Sequence, residues 1–416
     1  MPIWVLNKSH ILAAMLLLAV FIPQLPPVFA RSEMHINLIG FVVSCGVLAF
    51  WGNKFNIIRF YIALFYYSFF QGLLLLAYLF GPEGFGGLTD LPSLFRPLML
   101  LVMCAAFSVL LEGQRSIQML YRVFTYITVI SFGYAVLEVF FFSLVSPIIH
   151  IFYRLPDKNN IDGVSVSFFT LPYYAAYVHS ILLLFMLSRY SKEKSVTAVI
   201  LVLMSLINII LTQSKTGIFV AIATLFIFWF MRASRAGRIW VFILTVVTFI
   251  TSVYFLYDFI KYLNDSIGGN FAYTTMVMLE SPDEAGNLAE RSNQVARTFE
   301  LLMANNPLLG VGLGKGETIE SWLAYIPYRY GGLGLMLFVF FYIALTLRCF
   351  ILFFSVGNKE TKELLMIVCI WSFCLFFTQL SSLSIEISKA AYFSALMIAI
   401  ASKLVISTGR ELTNVV

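Results

Sequence analysis

Two cations and one carboxylate are placed where they could act on a charged substrate. Lys215 sits in Leu211-Thr212-Gln213-Ser214-Lys215-Thr216-Gly217, a tight hairpin between two apolar runs. Arg291 begins the helical part of a long polar passage, AERSNQVARTFELLMANNPLLGVGLGKG (289–316), and Glu320 follows it. Three hydroxyl residues surround Lys215, and the helix that starts there offers unpaired backbone N–H groups, a setting that suits an anion. A lysine that merely snorkels to a membrane surface fits the same pattern. From Arg291 to Ala304, Val295, Phe299, Leu302 and Met303 recur at helical spacing. Pro307 ends that helix, because it lacks an N–H and disfavours helix in the residue before it. Gly310, Gly312 and Gly314 then alternate with apolar residues and permit close backbone approach to a ligand or another helix. Arg297 points about 120° away from Arg291 around the helix. The two arginines therefore have different partners: Arg291 a cavity, Arg297 water or headgroups.

Other polar residues gather around the same segments. Tyr325, Tyr328, Arg329 and Tyr330 precede an apolar run, as boundary anchors or as part of a substrate mouth. Arg154, with Asp157, Lys158 and Asp162, lies in a loop on the same side. Glu386 and Lys389 bracket the start of the last apolar run, where a local ion pair is the alternative to a site. Arg96 ends a glycine- and proline-rich turn, and snorkelling accounts for it. Glu138 and His179 fall inside apolar runs. Each reads as a proton or substrate contact or, more plainly, as a polar group bonded to a neighbouring segment. No acid pair outside the apolar runs suits Mg²⁺, so neither a metal nor a cofactor is expected. Cys45, Cys104, Cys349, Cys369 and Cys374 read as buried thiols.

Composition states what must position these groups. Sixty per cent of residues are hydrophobic and 12% are charged, which excludes an ordinary soluble domain. A crossing helix needs ~20 apolar residues, and about twelve such runs can be drawn by that measure, near 11–30, 36–51, 57–80, 94–111, 125–146, 166–188, 195–212, 216–231, 238–258, 331–354, 363–380 and 389–407. The first has Lys8 before it and Val28-Phe29-Ala30 after it, as a signal peptide would, and is taken as an uncleaved span. With both termini inside, more than half of the 27 Lys and Arg fall in inside loops, among them Lys8, Arg115, Arg189, Arg232, Lys359 and Lys403. That arrangement obeys the positive-inside rule. The net charge of +6 is then anchoring charge, and no nucleic-acid partner is expected. The expected layout is an all-α polytopic membrane protein: 1–258 with nine spans, 259–330 as a large outer loop with short helices, and 331–416 with three spans and a cytoplasmic C-terminus.

Leu211–Gly217, the passage from Arg291 through Pro307 to Gly314, and Gly331-Gly332-Leu333-Gly334, taken in this order, resemble the O-antigen ligase and polymerase superfamily (the WaaL and Wzy type). The resemblance implies a GT-C-like membrane glycosyltransferase. It would act at the periplasmic face of the bacterial inner membrane on glycans carried by undecaprenyl diphosphate. Arg291 would stand as the family's loop arginine. Lys215 stands where the family has arginine, which keeps the charge and loses the bidentate fork. Glu320 would be the base for the attacking hydroxyl. Arg297, Arg329, Tyr325, Arg154, Lys389, Gly310 and Gly312 would contact substrate. The bilayer, a chain-length regulator and a flippase are the partners it brings with it. Ligases of this kind tend to carry a histidine soon after the glycine turn. Here Glu320-Ser321 lies there, and His10, His35, His150 and His179 all come earlier, so polymerase is preferred and ligase is the alternative. A lipid-linked oligosaccharide flippase and a small-anion transporter are the readings of another class. A flippase would line a central cavity with its basic residues, whereas here they cluster in the loops.

Overall fold

Helix starts are fixed by side chains that take up free backbone donors. Asn7 accepts from Ser9 N–H, Ser195 from Ala198 N–H and Asn358 from Glu360 and Thr361 N–H. In the computed structural model, residues 7–23, 34–52, 60–81, 91–153, 163–235, 239–266, 273, 275–277, 280–281, 286–312, 319–386 and 389–413 are described. The expectations placed on Val28–Ala30, Arg154 and its loop, Gly314 and the turn at 82–90 lie outside them.

Every described element is a helix. They run α1 (Lys8–Phe21), α2 (Met34–Trp51), α3 (Tyr61–Phe80), the single turn α4 (Leu91–Leu94), α5 (Arg96–Leu110) and α6 (Gln114–Phe140). Next come α7 (Phe142–Phe152), α8 (Pro172–Glu193), α9 (Val196–Leu211), α10 (Lys215–Arg235) and α11 (Ile239–Ser266). The last four are α12 (Gly286–Ala304), α13 (Trp322–Ser355), α14 (Lys359–Thr378) and α15 (Ala390–Thr413). Among the described residues, five stretches are long and apolar enough to cross a membrane: Tyr61–Phe80, Gln114–Phe140, Lys215–Ser234, Trp322–Ser355 and Lys359–Thr378. Five further apolar helices are shorter, such as Lys8–Phe21 and Val196–Leu211. The chain is thus an all-α membrane protein. The runs read from the sequence fall on these ten helices and on α8 and α11, which are not among them.

α8 is the central pillar, with residues 174–188 all buried. It packs on α6, α9, α10, α14 and α15. Around it, α2, α3, α9 and α11 turn Val42, Phe65, Leu79, Ile210, Trp240 and Leu244 outward. An apolar outer surface is what lipid requires and water penalises.

Three boundaries differ from the hydropathy pattern, each for a local reason. α6 begins at Gln114, well before the apolar run at 125, because backbone hydrogen bonding continues through the polar turns that carry Arg115 and Arg122. α6 and α7 are separated at Phe141, whose φ of −129° and ψ of 38° leave the helical region. α13 begins at Trp322 and contains a break at Gly331 (φ 69°, ψ −174°), so the expected span from 331 is its second part.

Candidate functional site

The helix ends define two poles. At one, α9 gives way to α10, α14 to α15, and α12 leads to α13. Thr212 turns the chain there: its hydroxyl donates to Ile209 O (2.7 Å) and accepts from Ser214 N–H (3.2 Å). Gln213 has a φ of 50°, and Ser214 then caps α10 by accepting from Gly217 N–H at 3.2 Å. Gly217 lies so close to α8 that a Cβ there would stand 2.6 Å from Ala176 Cβ. Lys215, held in this turn, is half-buried and within electrostatic reach of Arg291. Among the described residues no carboxylate pairs with it.

Arg291 lies on α12, which the sequence placed from Arg291 onward and which starts one turn earlier, at Gly286. Its Nη2 donates to Glu320 Oε2 at 3.5 Å, a long contact between part-exposed groups. Its Nε is buried without a partner. Glu320 is set by its backbone: its N–H donates to Gln294 Oε1 (3.3 Å) and its carbonyl accepts from Leu383 N–H (3.0 Å). Of the apolar stripe expected on α12, Leu302 is buried against Val311 and Tyr328. Phe299 and Met303 face outward.

The glycine turn meets the break in α13 backbone to backbone. Val311 N–H donates to Tyr328 O at 2.7 Å and Gly332 N–H to Pro307 O at 2.9 Å. A Cβ on Gly310 would stand 2.3 Å from Arg329 O, and one on Gly331 would stand 2.1 Å from Leu308 O. Gly310 therefore serves close packing. Gly312, with φ 141°, closes the same turn.

This junction buries a second charged group. Tyr330 Oη donates to both oxygens of Glu386 at 2.9 Å. Arg329 donates to Tyr325 Oη and lies 5.1 Å from that ring's centre, and Arg96 Nη1 reaches the same hydroxyl at 3.1 Å. Arg96 is thus tied to Tyr325 rather than simply snorkelling. Burial pushes the Glu386 carboxyl above the usual carboxylate range, against the pull of Arg329, Arg96 and the Tyr330 hydroxyl. Glu386 and Lys389 do not pair. The Lys389 ammonium, fully buried, donates to Val20 O and Phe168 O, both at 2.8 Å, and lies 5.1 Å from the Tyr153 ring centre.

The segment at 379–386 joins these parts, and the sequence reading passed over most of it. Ser381 Oγ lies 2.6 Å from Thr216 Oγ1 beside Lys215, and Leu383 binds Glu320. Gln379 O accepts from Trp322 N–H, and its side chain accepts from Ile385 N–H. The available signal was the polar run Gln379-Leu380-Ser381-Ser382-Leu383-Ser384 between two apolar stretches.

Several other candidates take separate places. Arg297 is exposed on the rim of a cleft along α12. Glu138 accepts from Ser165 Oγ (2.8 Å), Val166 N–H (3.0 Å) and Ser167 N–H (2.9 Å), so it secures the loop before α8. His179 is fully buried in α8 beside Phe169, with both ring nitrogens unpartnered.

Residues 199–339, roughly a third of the chain, are similar to the family described as O-antigen ligase. No curated protein matches the chain. The matched stretch contains Lys215, Arg291, the glycine turn and the break in α13. Together with the long apolar helices it supports a membrane enzyme of glycan assembly in the ligase/polymerase class.

Proposed function

We propose that the chain is a polymerase that joins lipid-diphosphate-linked glycan units at the pole carrying Lys215 and Arg291. What carries the reading is that one segment joins the two cations, far apart in sequence: Ser381 bonds Thr216 beside Lys215, and Leu383 bonds Glu320, whose carboxylate Arg291 contacts only at 3.5 Å. Like charges held near one another cost energy unless an anion lies between them. A diphosphate is an anion of the right kind, and its lipid would hold it at the membrane surface.

In the proposed reaction the hydroxyl of one unit attacks the anomeric carbon of the growing glycan. The new C–O bond forms as the bond to diphosphate breaks, and the lipid diphosphate leaves with the electron pair. Arg291 and Lys215 stabilise the charge that develops on it. Arg291, turning to the phosphate, releases Glu320, which takes the proton of the attacking hydroxyl. We place this chemistry at the periplasmic face of the inner membrane, with undecaprenyl diphosphate as the leaving group and both termini in the cytoplasm. Polymerase is preferred to ligase because the four histidines all precede Lys215.

The test is reconstitution of the purified protein with a lipid-diphosphate-linked repeat unit. Glycans of increasing length are expected, with turnover retained in excess EDTA. Transfer of preformed polymer to another acceptor without chain growth would support the ligase reading. No transfer, with lipid-linked units crossing the bilayer, would support the flippase.

A further inference from the structure

A cleft of about 270 Å³ runs along α12. That is near the lower end of the ~300–1,000 Å³ usual for small-molecule pockets, and suits one sugar ring rather than a lipid or a long chain. Its helical wall is a single stripe: Glu290, Asn293, Gln294, Arg297, Thr298 and Leu301 recur three and four residues apart. Ile319 and Tyr328 close the opposite side.

The lining selects a ligand class. One carboxylate and one guanidinium balance each other, so the cleft has no preference for an anion such as diphosphate. Two side-chain amides and a hydroxyl supply donors and acceptors together, as vicinal sugar hydroxyls require. Leu301, Ile319 and Tyr328 offer an apolar wall for the C–H face of a ring.

The cleft's position gives it a role. Ile319 adjoins Glu320, and Gln294, which lines the cleft, accepts the Glu320 backbone N–H. Arg291 does not line the cleft; it contacts the Glu320 carboxylate at 3.5 Å. Glu320 thus touches both parts, Arg291 through its carboxylate and the cleft through Gln294. We infer that this cleft seats a neutral sugar of the acceptor glycan, so that its attacking hydroxyl is presented to Glu320. The assignment of acceptor rests on the transferase reading above; the neutral-sugar site itself rests on the cleft.

The test uses the full chain in detergent and saturation-transfer NMR. The probes are free neutral hexoses and N-acetylhexosamines, with a hexuronic acid and inorganic pyrophosphate as charged comparisons. A neutral sugar is expected to bind in the millimolar range. Its affinity should fall at least tenfold in Asn293→Ala/Arg297→Ala. The exposed-site control Ser292→Ala should leave it within twofold. Binding of no neutral sugar, binding unchanged in the double variant, or preferential binding of the charged probes would overturn the inference. Glycan transfer measured on the same preparation separates the two claims. Transfer without neutral-sugar binding removes the cleft and leaves the transferase. Sugar binding without transfer removes the transferase and leaves a sugar site.

Discussion

The two poles of the helix bundle treat charge in opposite ways. At the pole where α5 meets α6 and α13 meets α14, cations meet acids directly. Lys8 pairs with Glu112 at 2.5 Å, Arg232 with Glu363 at 2.5 Å and Arg189 with Glu193 at 3.0 Å. Glu363 also accepts from Ser188, and Gln114 bridges to Glu360. At the other pole Lys215 has no carboxylate partner among the described residues, Arg291 has a 3.5 Å contact, and Lys389 is held by carbonyl oxygens. Charge that is satisfied inside the chain holds helices together. Charge left under-satisfied, at a cost in stability, is available to a ligand. The comparison separates anchoring residues from candidate site residues of the same types.

The largest expected contrast follows from removing one cation at each pole. Arg291→Ala should reduce glycan transfer by about 100-fold or more, the scale of losing a transition-state charge contact, while the protein accumulates normally. Arg291→Lys should recover little, because lysine lacks the planar fork. Near-normal transfer by the alanine variant would dismiss Arg291 from the site. At the paired pole, Glu363→Ala leaves Arg232 without its carboxylate and should cost about 3 kcal/mol, the low end for breaking a buried pair. Denaturant unfolding in detergent would read this. An unchanged midpoint would mean that the paired pole does not secure the helices.

Two glycines sharpen the contrast through the backbone. Gly113, at the paired pole, and Gly331, at the site pole, have φ of 88° and 69°. A Cβ on Gly113 meets nothing within 4 Å, whereas one on Gly331 runs into the Leu308 carbonyl. Gly113→Ala should therefore cost only the strain of its backbone conformation, about 1–3 kcal/mol. Gly331→Ala must also displace the 307–312 turn, and should lose transfer even where the protein still accumulates. Equal effects would show that the docked turn has no part in forming the site.

A smaller effect concerns Glu386. Its carboxyl titrates above the usual range because it is buried, so the folded protein holds that proton more tightly than the unfolded chain. Its contribution to stability is present at low pH and is lost as pH rises from the usual carboxylate value through the raised one. Glu386→Gln should flatten that part of the stability–pH curve. The same slope in the variant would assign it to another group.

The sequence made the helical architecture legible because the apolar runs are long, and lipid demands internally bonded backbone. It also marked Lys215, Arg291 and the glycine turn, since charge and glycine between apolar runs are conspicuous. It could not show what Gly310 and Gly331 meet, because backbone-to-backbone packing leaves no side-chain signal. The Arg96–Tyr325 contact joins residues 229 positions apart, a separation that no local spacing reveals. Glu386 and Lys389 are close enough in sequence to pair, but the segment between α14 and α15 sends them to different partners. Helix boundaries shifted where polar turns extend α6 and α12 beyond what hydropathy marks.

The central claim, that Lys215 and Arg291 hold one anion, is tested most directly by a double-mutant cycle on binding of undecaprenyl diphosphate to the purified protein. Lys215→Ala and Arg291→Ala should each weaken binding at least tenfold. If the two side chains act on one phosphate group, the double variant should bind within about threefold of the weaker single variant, because coupled residues are not additive. A double variant whose loss equals the product of the two single losses would mean that the cations act independently, and would contradict a shared diphosphate site.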